Sequence, residues 1–236
     1  GSSLPLTLFL VLFAGAAAGA ITGFIHTRLK VNALLSGILV MTALYSVNLM
    51  IMGRSNIPLI GVNTIFNALS FIGEEKYTQL IVLLAFLFFF SAFLVWLLKT
   101  DFGIAMRATG NNEVMVRAQG VNAERMKIIG LSLSNSLVAL SGFLVAQLQG
   151  FADINMGIGI VILGLGAVMI GETIMNWLGK NSIGWRITGV IAGTILFRFI
   201  LALTLSLGVN PNLLKLMTAL FVLLVVALPG FRKTSY

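Results

Sequence analysis

Cysteine is absent from the 236 residues, which excludes both a disulfide framework and a thiolate metal site. Histidine occurs once, as His26 beside Arg28, a helix-end position that suits a structural or solvated role rather than catalysis. Charge is also scarce: Asp, Glu, Lys and Arg make up 9% of the chain, against about 25% in soluble domains. There is no HExxH, no GxSxG and no run of paired carboxylates inside an apolar segment, so metalloprotease, serine-hydrolase and proton-relay chemistry lack their usual residues. A GxxxxGK[ST] phosphate loop is missing too, since Gly179-Lys180 is followed by Asn181, and no cofactor motif is present. If ATP drives this protein, another chain hydrolyses it. No hydrophilic stretch is long enough to fold a second, soluble domain, so residues 1–236 read as one membrane domain.

What the chain has is apolar length. Hydrophobic residues make up 58%, in runs at 4–25, 31–52, 80–98, 128–148, 158–170, 187–207 and 213–228. Most approach the ~20 residues that a helix needs to cross a hydrocarbon core about 30 Å thick. The expected fold is therefore all-α, a polytopic transmembrane helical bundle of about seven membrane segments. The net charge of +8 is spread over short connections, which points to membrane topology and not to nucleic acid. If each run crosses once, one side carries Arg28, Lys30, the basic residues of 99–127, Lys180, Arg186, Arg232 and Lys233. The other side carries only Arg54, Lys76 and Lys215, so the first side is cytoplasmic. This topology puts Gly1 outside, which is explained if one or more spans precede it.

Small and polar residues mark the helix surfaces that cannot face lipid. Gly15, Gly19 and Gly23 form a GxxxGxxxG ridge on the first run, and Gly189 and Gly193 repeat the spacing on the sixth; such ridges let backbones approach. The fifth run with its edges, residues 155–172, has Gly164 and Gly166 among five glycines and reads either as a packing seam or as a broken helix lining a pathway. Asn135, Ala139, Gly142, Ala146 and Gln149 share one face of the fourth run, facing either the bundle interior or a substrate path. Tyr45 and Asn48 on the second run raise the same choice. Arg198 lies within the sixth run among apolar neighbours, a position that is functional by default unless its stem snorkels to the interface.

The polar stretch 99–127 holds eight of the chain's 22 Asp, Glu, Lys and Arg residues. Residues 105–109 extend the third span, the Gly110-Asn111-Asn112 run breaks it, and Asn112 caps a short helix over 113–119 with Glu113 in its first turn. Gly120 stops that helix, and Asn122 caps a second short turn starting at Ala123. Met115 and Val116 lie between Arg107 and Arg117, as on a free amphipathic turn or on a knob that docks into a soluble partner.

The run TDFGIAMRATGNNEVMVRAQGVNAERMK, with Thr100, Gly103, Arg107, Ala108, Gly110, Asn112, Val116, Ala118, Gly120, Val121 and Asn122, resembles the coupling-helix region of permease subunits of bacterial ABC importers. That family is the branched-chain amino acid and ribose permease superfamily. The likeness continues through Ser134, Ser141, Gly142 and the glycine-rich run, and covers about 15–231; residues 37–59 and 155–172 are similar to its amino-acid-type, sometimes aromatic-amino-acid, branch. The resemblance implies a type II ABC importer-like fold in the bacterial inner membrane. It also implies two permease copies, here expected as a homodimer, two cytoplasmic ABC ATPase subunits and an extracellular substrate-binding protein. Arg107, Asn112, Glu113, Val116, Arg117, Gly120 and Asn122 would contact or shape the ATPase coupling site, and Tyr45, Asn48, Asn135, Gln149 and Arg198 would line a path for a small solute such as an amino acid. An ATP-independent transporter or channel, and a membrane scaffold, are the alternatives. Family members usually begin with one or two further N-terminal segments, which the topology above also calls for.

Overall fold

The computed structural model describes residues 4–61, 64–68, 75–157, 160–179 and 182–206, with Leu216, Leu220 and Leu223 as isolated helical positions. They fall into two compact units, Gly1–Met156 and Gly157–Tyr236.

In the first unit, α1 (Leu4–Arg28), α2 (Ala33–Met52), α4 (Glu75–Lys99) and α7 (Ala123–Gln149) realise the first four apolar runs. All four are long and apolar enough to cross a membrane, as is α9 below. Between them lie a single turn, α3 (Ile65–Ala68), and the helices α5 (Asp101–Asn111) and α6 (Glu113–Ala118). Two three-residue strands, β1 (Asn56–Pro58) and β2 (Phe151–Asp153), pair antiparallel with Ile57 opposite Ala152. They add a small ladder that the apolar pattern did not announce.

The association of α1 with α7 is the closest in this unit, and it rests on missing side chains. A Cβ at Gly15 would stand 2.6 Å from the Asn135 carbonyl oxygen and 2.7 Å from Ala139 Cβ, one at Gly19 would collide with the Leu131 carbonyl, and one at Gly23 would reach Ile128 Cα at 2.8 Å. Ser136 Oγ adds a hydrogen bond across the pair to the Leu12 carbonyl, 3.0 Å. Ile65, Phe66, Val82 and Leu144 form a separate buried cluster where α3 meets α4 and α7. Gln147 Oε1 accepts from the Ile65 amide at 3.0 Å there, satisfying a donor at the start of the short helix.

Glycine ends two of these helices. Gly53 (φ 67°) closes α2 and Gly150 (φ 74°) closes α7, left-handed caps that release the chain into β1 and β2. At the other end of α2, His26 Nδ1–H donates to the Val31 carbonyl, 2.8 Å, and Asn32 accepts from the Leu34 amide, so the α1–α2 turn is held on both sides.

In the second unit α8 (Ile160–Trp177) is one continuous helix despite its glycines, and it pairs with α9 (Ile183–Ser206). The break that was one reading of this run is absent between residues 160 and 177. Gly171, Gly189 and Gly193 make the seam: a Cβ at Gly171 would collide with the Gly189 carbonyl, and one at Gly193 with the Ala167 carbonyl. Gly166 is buried in α8, whereas a Cβ at Gly164 meets nothing within 4 Å. The seventh run, 213–228, lies outside the described residues apart from its three isolated positions.

Gly19→Val is expected to destabilise the protein by about 1–3 kcal/mol, as overpacking does in a close-packed interface. Gly142→Ala, where an added Cβ meets nothing within 4 Å, serves as the comparison and should leave stability unchanged or slightly raised. Thermal unfolding in detergent, followed by loss of monodispersity, checks both.

Candidate coupling site

The stretch between α4 and α7 folds into a compact three-part connection. Thr100 caps α5, its Oγ1 accepting from the Gly103 amide at 3.2 Å and donating to the Leu97 carbonyl at 2.6 Å. At this sharp turn α5 folds back so tightly that a Cβ on Gly103 would stand 2.5 Å from Leu98 Cα. Residues 105–109 therefore do not extend the third span; they belong to a separate helix that begins at Asp101. Gly110 and Asn111 remain helical, and the break falls on Asn112 alone, whose backbone is extended.

Asn112 caps α6 as its residue type demands, with Oδ1 accepting from the Met115 amide at 3.0 Å. The other end closes in a Schellman arrangement, Gly120 N–H to the Arg117 carbonyl (3.0 Å) and Val121 N–H to the Val116 carbonyl (3.2 Å), with Gly120 at φ 82°. Asn122 Oδ1 then accepts from the Arg125 amide, 3.0 Å. What it starts is the whole of α7 and not a short separate turn.

Between these caps α6 turns one apolar residue inward and two outward. Val116 is 3% exposed, while Val114 is 79% and Met115 58% exposed. Its charged residues are tied at its base. Glu113 takes a hydrogen bond from Lys127 Nζ at 2.6 Å and another from the Arg117 guanidinium at 2.7 Å. Arg117 also approaches Glu124 at 3.9 Å, and Glu124 pairs with Arg28 of α1 at 3.6 Å. The Lys127 and Arg117 hydrogen bonds hold the Glu113 carboxyl below its usual 4.5. Arg107 is exposed on α5 and, among the described residues, stands outside this ion-pair cluster.

The other candidate positions are dispersed. Asn135 Nδ2 donates to the Leu131 carbonyl of its own helix, 2.9 Å, and its backbone packs on Gly15, so the first half of the polar stripe on α7 is covered by α1. Gln149 is exposed at the end of α7, and Tyr45 and Asn48 are exposed on α2. Arg198 lines a cavity of about 120 Å³ in the second unit with Thr194, Phe197, Ala167 and Gly164. An apolar groove of about 340 Å³ runs between α4 and α7, with Ser91 and Ser141 as its hydroxyl-bearing residues.

Residues 1–227 match the family described as "Branched-chain amino acid transport system / permease component". The chain belongs to this permease family. The permease is 38% identical to a tyrosine transport system permease protein of Clostridioides difficile over 227 residues, 96% of this chain and 74% of the relative. It is 36% identical to an uncharacterized protein of Rickettsia prowazekii, covering 91% of this chain and 76% of that one, and 30% identical to a ribose import permease protein of Escherichia coli, covering 90% and 64%. No solved structure matches it. The permease is thus a multi-pass helical protein of the bacterial inner membrane and a permease subunit of the ABC importer class.

A carboxylate with a folded-state pKa below its free value adds stability above that free value and loses it as pH falls through the folded one. The stability difference between the permease and its Glu113→Gln variant should be constant from neutrality down to about pH 5 and shrink below it. Unfolding midpoints of the two proteins across this range test the sign.

Proposed function

We propose that this permease forms the membrane path of an importer for an amino acid, with tyrosine or a similar aromatic zwitterion as its solute, and that α6 is where partner ATPase subunits engage it. The observation that carries the second part is the exposure of Val114 and Met115 on a helix capped at both ends and outside the long apolar helices. A rigid helix with an outward apolar pair offers a nucleotide-driven domain something to grip in one state and release in another, which is what coupling requires. Asn112, Gly120 and Asn122 shape that helix, Arg107 and Arg117 flank it, and Val116 anchors it.

The similarity to a tyrosine permease over 96% of the chain supports the solute class. Arg198, at a cavity on α8 and α9, supplies a cation suited to a carboxylate. Tyr45, Asn48, Asn135 and Gln149 are further path positions in this reading. The whole chain acts as one permease domain, paired with a second copy and served by an external substrate-binding protein. An ATP-independent carrier is disfavoured by the family relationship.

Replacing residues 112–120 with a Gly/Ser linker should abolish capture of a candidate partner ABC ATPase by the detergent-solubilised protein. Undiminished capture would remove α6 as the docking element. In proteoliposomes containing ATPase and binding protein, Arg198→Gln should lower tyrosine uptake by roughly tenfold, the loss of one charge-assisted carboxylate bond, with the captured ATPase unchanged. Wild-type uptake by this variant would take Arg198 out of the path.

A further inference from the structure

The ion pairs at the base of α6 lead away from the ATPase-facing surface. Surface ion pairs contribute little to stability, typically about 0–1 kcal/mol, so four pairs that link five residues of α1, α6 and α7 call for a reason other than folding. Their connectivity supplies one. Glu113 receives Lys127 from α7 at 2.6 Å and Arg117 from its own helix at 2.7 Å, with Glu113 and Lys127 side chains only about a third exposed. Glu124, one turn before Lys127, meets Arg28 at the end of α1. Beyond these charges α1 and α7 are locked backbone to backbone by Gly15, Gly19 and Gly23, so a displacement given to either helix is shared by both.

We infer that Glu113 is a positioning residue that ties α6 to the α1–α7 pair through Lys127, with Glu124 and Arg28 extending the tie to α1, so that movement of α6 becomes movement of two spans together. The inference rests on the reading of α6 as the ATPase contact. It assigns the next step of force transfer to charges within the permease, none of which needs to touch the ATPase. Val116 and the Schellman turn at Gly120 hold the shape of α6 and lead its backbone into α7, and Arg117–Glu124 at 3.9 Å is a longer side-chain link between the same two helices. The Glu113–Lys127 bond closes the triangle that the backbone leaves open. Its closure persists through the transport cycle, so that a covalent bond can replace it.

The absence of native cysteine permits a direct test. The double variant Glu113→Cys, Lys127→Cys is purified, bridged or left unbridged with a short bifunctional thiol reagent, and then assembled with ATPase and binding protein in proteoliposomes. ATPase retained, ATP hydrolysed and labelled tyrosine taken up are measured together. Without the bridge, uptake per ATP hydrolysed by the ATPase that is retained should fall about fivefold or more, within the range of ordinary coupling free energies; bridging should restore it. Lys127→Arg should preserve uptake per ATP and Lys127→Gln should not. Full coupling in the unbridged variant, or no recovery on bridging, overturns the inference. Loss of α6-dependent ATPase retention in the wild-type chain would instead overturn the docking reading beneath it.

Discussion

The approach of α1 to α7 is the constraint on which the first unit depends. In a bilayer, two apolar helices gain nothing from leaving lipid for each other, so their association needs van der Waals contact at short range and the occasional hydrogen bond. Gly15, Gly19 and Gly23 supply the first by removing every atom between the α1 backbone and the carbonyls of Leu131 and Asn135, and Ser136 supplies the second. The inner ends of the two helices follow from this register: Arg28 comes to rest beside Glu124 because three glycines upstream fix the axial position of α1.

The polar connection shows the same economy with different means. Two asparagines, a threonine and two glycines define α5, α6 and the start of α7, each at the position where its side chain or backbone freedom is required. The bulky apolar residues of α6 are left to face outward or to plug its base. A short helix with such ends holds its shape without a hydrophobic core of its own, which suits an element outside the membrane.

Much of this was legible in the chain. Hydropathy located the long helices because lipid admits little else, and Asn112 and Gly120 marked the ends of α6 because capping is a local matter; Asn122 reads from sequence as the cap of a short turn, whereas it starts the whole of α7. The boundary at Thr100 was missed since Ala105-Met106-Arg107 continues the helical propensity of the preceding run, and the reversal depends on how closely Gly103 approaches Leu98. The Glu113–Arg117 pair is visible at spacing i,i+4, but Glu113–Lys127 and Arg28–Glu124 join residues whose proximity only the tertiary structure creates. The β1–β2 ladder and the Gln147 cap were invisible for the same reason: three residues of strand carry no periodicity, and a glutamine near a helix end has no fixed partner. Polar residues read as path candidates proved hardest to place from sequence, because a stripe that avoids lipid is satisfied equally well by carbonyls of its own helix beneath a packed neighbour, as at Asn135.

The glycine ridge of α1 has a consequence in time as well as in space. Its partner surface on α7 lies about 110 residues further along the chain, which at ordinary rates of synthesis is made roughly 6–20 seconds later. During that interval α1 sits in the insertion machinery or the bilayer with its narrowest face uncovered. The glycine face of α1 thus waits for its neighbour, and the assembly of this pair is set by when α7 emerges.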